Sequence, residues 1–286
     1  MVFDPKIIKL GKLPARIPKN LKYMNEHIEH SLGIMTLPPT PRVRRWSRGH
    51  TKWGEMLNDQ LGACTCAGIG HYFQVATLDE SILTDHYFHM QTASDNVVLK
   101  LYENAANYNP NASKVWSQEE NNWVNSTDNG AECSAILQYV TNNGFNGHKV
   151  YGFGLVDQNV QSHVMEMINL FGGMYIGLQL PKTCEGQIFN GVWDVVDSSL
   201  QGNSKPGSYG GHCVFVPDYV DNGSELETLT CITWGGLQKM TWKFFATYCD
   251  EAYCILSDAW VASGKSPLGF DLASLQANMS ELVHEL

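Results

Sequence analysis

This chain of 286 residues contains no run of 18 apolar residues, so a helical membrane span is not expected. Its beginning, Met1 through Arg16, mixes lysine and proline with short apolar runs and shows no signal-peptide core. Without export, the eight cysteines are expected to stay reduced, and their spacing suggests no framework of bridges. Positive charge is scarce as well. The net charge is −10, whereas nucleic-acid binders usually present a clustered basic face. The one dense basic cluster, Arg42, Arg44, Arg45 and Arg48, is interrupted by Trp46 and reads as a solvated arm with a stem packed on that ring. Neither nucleic acid nor a membrane is an expected partner.

Metal and nucleotide signatures are also missing. Cys64-Thr65-Cys66 and Asp85-His86-Tyr87-Phe88-His89 contain possible ligands, yet neither has the C-x-x-C or H-E-x-x-H spacing of zinc sites. The pairs Gly172-Gly173 and Gly235-Gly236 lack a Walker lysine and read as turns. No cofactor and no metal are expected. The chain holds no internal repeat and no low-complexity tract.

What is present is ordinary globular material, 43% hydrophobic and 17% charged, enough for one large domain or two intimate halves. Residues 1–52, punctuated by Leu37-Pro38-Pro39-Thr40-Pro41, are expected to form an extended arm over a domain spanning 53–286. Within that domain, 53–148 reads as a helical half. Cys64 to Leu78 contains no Asp, Glu, Lys or Arg, which predicts a helix buried on all sides. Ser94 is expected to cap a second helix bearing Val97, Val98, Leu101, Tyr102 and Ala105. Residues 109–129 read as a long polar loop, and a third helix carries Cys133, Ile136, Leu137 and Val140 up to Asn143-Gly144.

From 149 to 286 the period shortens. Strands are expected at 151–156, 174–180, 191–196, 213–220, 229–234, 240–248 and 253–256. Asp157 is expected to cap an intervening helix, and a terminal amphipathic helix is expected over 271–286. The 174–180 strand alternates as if half buried. The fold class is therefore α+β, a helical half and an antiparallel β-rich half with a cleft between them.

The chemistry follows from one cysteine and one histidine. Gly62-Ala63 delivers Cys64 to the start of the uncharged helix, where the macrodipole and unpaired N–H groups favour a thiolate. Gly210-Gly211-His212 opens an apolar strand and supplies an imidazole as general base. Asn58, six residues before Cys64, can donate to an oxyanion beside the Cys64 N–H. A second register pairs Gln60 with Cys66 at the same spacing. Cys64 is preferred, because the Gly62-Ala63 approach aims a thiol into a cleft while Cys66 points into packing. His71 shares a helix face with Cys64, but its place in the buried helix suits a structural hydrogen bond. A lone cysteine or strand-start histidine is ordinarily just core; the combination is what points to acyl transfer.

These motifs resemble the papain-like cysteine peptidases over most of the chain. Gly62-Ala63-Cys64-Thr65 is similar to their Gly-Ser-Cys-Trp segment, with Asn58 in the oxyanion-amide place. Gly211-His212-Cys213-Val214 through Tyr219 is similar to their Gly-His-Ala-Val motif, and Ile232-Thr233-Trp234-Gly235 approaches their Asn-Ser-Trp-Gly. The Cys64 to His212 separation of 148 residues lies within the roughly 130–150 of that family. An uncharacterised bacterial and phage branch is the nearest likeness, carried by the arm, Ser126-Thr127-Asp128-Asn129-Gly130 and the stretches around Met240 and Asp250.

Two departures stand out. The orienting asparagine falls on Ile232, leaving Thr233 as the nearest polar substitute, and Thr65 replaces an aromatic residue. In a serine protease, losing the orienter costs about 10⁴ in turnover. The resemblance implies a thiol hydrolase acting on a peptide or protein substrate, cytoplasmic or virion-associated. Cys64, His212, Asn58 and Thr233 would be its site. A silent papain-like fold serving as a virion or binding protein is the competing expectation, with Trp116, Trp123 and Trp193 as candidate surface aromatics. Acyl transfer to an amine is a third. Oligomeric state is left open.

Overall fold

The computed structural model describes residues 8–32, 37–78, 86–118, 121–223, 226–267 and 270–283. Helix α2 (Cys64–Ala76) runs through the centre with all thirteen of its residues buried. An uncharged helix can be enclosed on every side because it brings no charge that must be desolvated. Helices α3 (His86–Ala106) and α4 (Cys133–Asn143) pack on it, while α1 (Met24–Leu32) lies against the strand Val150–Leu155 and the helix Leu272–Val283. Strands β2 (Lys114–Ser117) and β3 (Asn122–Asn125) form a hairpin.

The other side is one antiparallel sheet in the order β4-β9-β5-β6-β7-β8. Its members are β4 (Val150–Leu155), β5 (Met174–Leu180), β6 (Gly210–Val220), β7 (Thr228–Thr233), β8 (Gly236–Thr241) and β9 (Cys249–Ser257). Helix α5 (Gln161–Phe171) connects β4 to β5, and α6 (Trp242–Tyr248) separates β8 from β9. Helices α7 (Asp258–Ser263) and α8 (Leu272–Val283) close the chain.

Strand β6 organises the sheet. Its first part pairs with β5, with His212 opposite Leu178, and its second part pairs with β7. Beyond the end of β5, the short strand β1 (Val43–Arg45) takes over that edge, from Val43 opposite Val220 to Arg45 opposite Asp218. Buried Asp218 fixes the junction, accepting hydrogen bonds from the Ser47 amide and hydroxyl. Arg44 lies over the Trp46 ring at 4.6 Å, and the Trp46 indole donates to Ile168 O.

Several expectations need correction. Residues 1–52 are not simply extended, since they contain α1 and β1. Ser94 is not a helix start, because α3 already begins at His86. The 109–129 loop holds a hairpin. Asp157 does not cap α5; Val160 occupies that place, and Asp157 binds the Asn159 amide instead. The run 191–196 contributes one bridge, Trp193 to Met240. The 240–248 stretch is mostly α6, whose amide at Phe244 is capped by Thr241. Alternation suggested a half-buried β5, yet six of its seven residues are buried, because helices and neighbouring strands cover both faces. Trp193 is wholly buried, unlike Trp116 and Trp123. Asp85 and residues 284–286 lie outside the described residues, as do the side chains of His86 and His89. Among the described residues, no helix is long and apolar enough to cross a membrane.

Candidate active site

Helix α2 begins at Cys64 with Ala63 as its cap and no side chain serving the first turn. Such a start leaves backbone N–H groups without helical acceptors. Asp128 holds the preceding loop: one of its oxygens accepts the Gly62 amide at 3.0 Å and the Tyr102 hydroxyl at 2.7 Å. The same Tyr102 oxygen accepts the Gly130 amide at 2.8 Å. Asp128 and Tyr102 therefore lock the approach to Cys64 against the approach to α4.

Upstream, Met56 and Leu57 both adopt positive φ, 52° and 64°, immediately before Asn58. Two left-handed non-glycine residues in a row are costly, and such strain gathers where a loop must aim a side chain. Asn58 is buried and its Oδ1 has no hydrogen bond. Gln60, the amide of the alternative register, is exposed and binds Asp59.

On the sheet side, His212 is buried with its Nε2 2.7 Å from Thr233 Oγ1. The Trp234 ring stacks on the imidazole at 4.2 Å and 7° between planes. Trp234 reaches this position at φ 41°, and a bridge from Gly54 to Gly235 ties its turn to the loop that carries Asn58. Thr233 thus makes the contact for which Ile232 is unsuited, one residue later than the motif alignment puts it. His212 Nδ1 is buried and makes no hydrogen bond, so the imidazole is not hydrogen-bonded to a thiol in this state.

The Cys64 end of α2 packs against β6, the strand that carries His212. The backbones of Cys213, the residue after His212, and of Gly11 approach the Cys64 sulfur closely enough to favour its ionised form. Here the expectation of an exposed, acidic thiol is corrected. Cys64 is wholly buried, and burial pushes its thiol up to about 12 despite those two contacts. Burial raises the Cys66 thiol too. Burial also lowers His212 to about 3, helped by nearby His71, which itself binds Gln74 through Nδ1 at 2.8 Å. For both groups burial favours the neutral form.

The cover comes from the chain's own beginning. Lys12 N donates to Gly211 O at 3.1 Å, Ala131 N to Gly11 O at 2.8 Å, and Leu13 N to Ala131 O at 3.0 Å. The segment thus bridges Gly211 on β6 and Ala131 before α4, beside the Gly62 approach to Cys64. Gly11 is required there, because a Cβ would overlap the Gly62 carbonyl. Lys12 then turns its side chain, fully enclosed, toward Asp250 Oδ2 at 2.8 Å and Glu251 Oε1 at 3.0 Å. Sequence reasoning missed these three residues. The adjacent acids Asp250-Glu251 opening an otherwise uncharged strand were the available signal.

No family model matches the chain, and no curated protein matches it in sequence. Solved structures do resemble it. Xylellain, a cysteine protease from Xylella fastidiosa, superposes with a TM-score of 0.56 at 11% identity, over 89% of this chain and 98% of that one. The ragweed pollen cysteine protease Amb a 11, in its proform, gives 0.49 at 10% identity over 79% of this chain and 67% of that one. The fold is therefore α+β and papain-like.

Proposed function

We propose that the chain is a papain-like thiol hydrolase that cleaves peptide or amide bonds, held here in a covered state. Cys64 attacks the carbonyl, His212 accepts the thiol proton and returns it to the leaving amine, and Asn58 with the Cys64 N–H holds the oxyanion. Thr233 orients the ring through Nε2 while Trp234 shields that contact from water. The observation that carries this reading is the His212 arrangement: one nitrogen engaged by Thr233, a flat indole over the ring, and Nδ1 left unpartnered beside the strand that contacts Cys64. A histidine kept only for packing has no need of a vacant nitrogen in the interior.

The test combines activity and labelling in the full chain carrying Lys12→Ala, which loosens the cover. Hydrolysis of denatured casein and alkylation mapped to Cys64 are expected, both abolished by Cys64→Ala. Preferential alkylation of Cys66 would move the nucleophile to the other register. Absence of hydrolysis with Cys64 freely alkylated would leave the second reading, a silent fold used for binding. That reading draws on Trp116 and Trp123, exposed side by side on the hairpin with ring centroids 5.9 Å apart.

A further inference from the structure

The interior contains one charged cluster that the hydrolytic chemistry does not use. Glu251 is wholly buried at the start of β9; its Oε2 accepts the Tyr253 hydroxyl at 2.6 Å, while Oε1 has no hydrogen bond and faces Lys12 Nζ at 3.0 Å. Beside it, Asp250 Oδ2 accepts from Lys12 Nζ and from Gln179 Nε2 at 2.7 Å, and its buried Oδ1 is also unpaired. The floor is Gly177, where a Cβ would collide with the Lys12 stem, so this strand position is open for a long side chain to pass. The ammonium makes one further bond, to Leu13 O at 3.2 Å.

Everything holding Lys12 is backbone or acid. Its main chain is gripped by Gly211 on the sheet side, and its neighbours Gly11 and Leu13 by Ala131 on the helical side. These are backbone contacts, and the place before the lysine admits only glycine, since a Cβ there would overlap the Gly62 carbonyl. The lysine side chain is selected by two carboxylates, Glu251 fully enclosed and Asp250 with 23% of its side chain exposed. A carboxylate enclosed like Glu251 is tolerated only while a cation stands against it. When the arm leaves, the pocket is left with that demand, and a peptide carrying a lysine meets it. The residue before Lys12, Gly11, packs against the backbone of Gly62, two residues before Cys64. The same alignment sets a pocket-bound lysine one residue from the chain that passes the Gly62-Ala63 approach to Cys64.

We propose that the Asp250–Glu251 pocket is a subsite for lysine side chains of peptide substrates, and that Lys12 is its tethered occupant. The inference deepens the thiol-hydrolase reading and rests on it for the word substrate, though the pocket's preference is measurable without catalysis.

The first experiment is chemical rescue of the full chain carrying Lys12→Ala. Its melting temperature should rise with n-propylammonium, which restores the missing stem and charge, and not with 1-propanol. Neither the unaltered chain nor Lys12→Ala/Glu251→Gln should respond. A Lys12→Ala chain that folds only with the amine present counts as rescue. One that gains equally from the alcohol, or that no amine restores, overturns the proposal. The second is binding of the arm hexapeptide, residues 8–13, to the Lys12→Ala/Cys64→Ala chain. It should bind about 30-fold more tightly than the same peptide with norleucine at the Lys12 place, as expected for one enclosed ion pair. Equal binding of the two overturns the subsite. Selective binding without any hydrolysis by Lys12→Ala would instead retain the subsite and defeat the hydrolase reading. Hydrolysis indifferent to lysine would do the reverse.

Discussion

Two polar centres flank the crossing of the arm, and they solve burial in opposite ways. Around His212 everything is neutral: burial lowers the ring to about 3, Thr233 supplies one hydrogen bond, and an indole closes the face. Around Glu251 an ion pair sits among neutral donors, and Lys12 is held protonated: burial works against its charge, but the Coulombic pull of Glu251, with Asp250 adding to it, outweighs that and raises its pKa. The first centre is built wholly from strands β6 and β7 and the turn after them, so it survives departure of the arm. The second is complete only while the arm is in place. A buried ion pair is poor evidence of stability but a sharp selector of partner, since removing one member leaves a stranded charge. The lesson is that the permanent part of the site is uncharged and its conditional part is ionic.

Removing half of the ionic centre should have the largest consequence. Lys12→Ala is expected to cost about 3–5 kcal/mol in denaturant unfolding by stranding Glu251. Adding Glu251→Gln to Lys12→Ala should recover most of that loss; if the double variant is no more stable than the single one, the charge argument is wrong. Cys64 should respond in parallel. With its thiol near 12, alkylation at pH 8 should be slow in the unaltered chain, and uncovering it should speed labelling by about 10³ as the pKa relaxes toward ~8.5.

The neutral centre should yield less. In the folded chain His212 stays unprotonated down to about 3, whereas an unfolded chain takes up the proton near 6.5. Its contribution to stability is therefore complete above about 6.5 and is lost as pH falls toward 3, at roughly 1.4 kcal/mol per pH unit. A His212→Gln variant should lack that slope, so subtracting its pH–stability curve from that of the unaltered chain isolates it. A flat difference would mean that the ring is reached by water. Thr233→Val should cost about 1–3 kcal/mol by leaving Nε2 unpaired, and rescue by Thr233→Ser but not by Thr233→Ala would assign the effect to the hydroxyl. The smallest change is expected far from both centres. Trp116→Ser on the exposed hairpin should stay within about 0.5 kcal/mol in the same unfolding assay. A larger loss would show that the hairpin packs on something.

Much of this was legible in the chain as written. The absence of charge from Cys64 to Leu78 sufficed for the central helix, since no other environment favours such a segment in water. The alternation and glycines around His212 were enough for a strand with an imidazole near its start. Local rules failed where tertiary neighbours decided. The 240–248 run has strand-like composition, yet Thr241 caps a short helix there that packs Phe244 and Phe245 into the core. The motif points to Thr233 as the substitute orienter, but Trp234 stacks on the imidazole from a left-handed turn that no pattern announces.

Lys12 is the clearest case of what only the tertiary structure decided. Its neighbours in sequence give no reason to bury it, and its partners lie 238 residues away. Composition and periodicity determine which segments must leave water and with what repeat, because burial follows local patterns of apolar residues. They do not determine which distant charge meets which, because that pairing depends on where the folded backbone brings the two ends of the chain together.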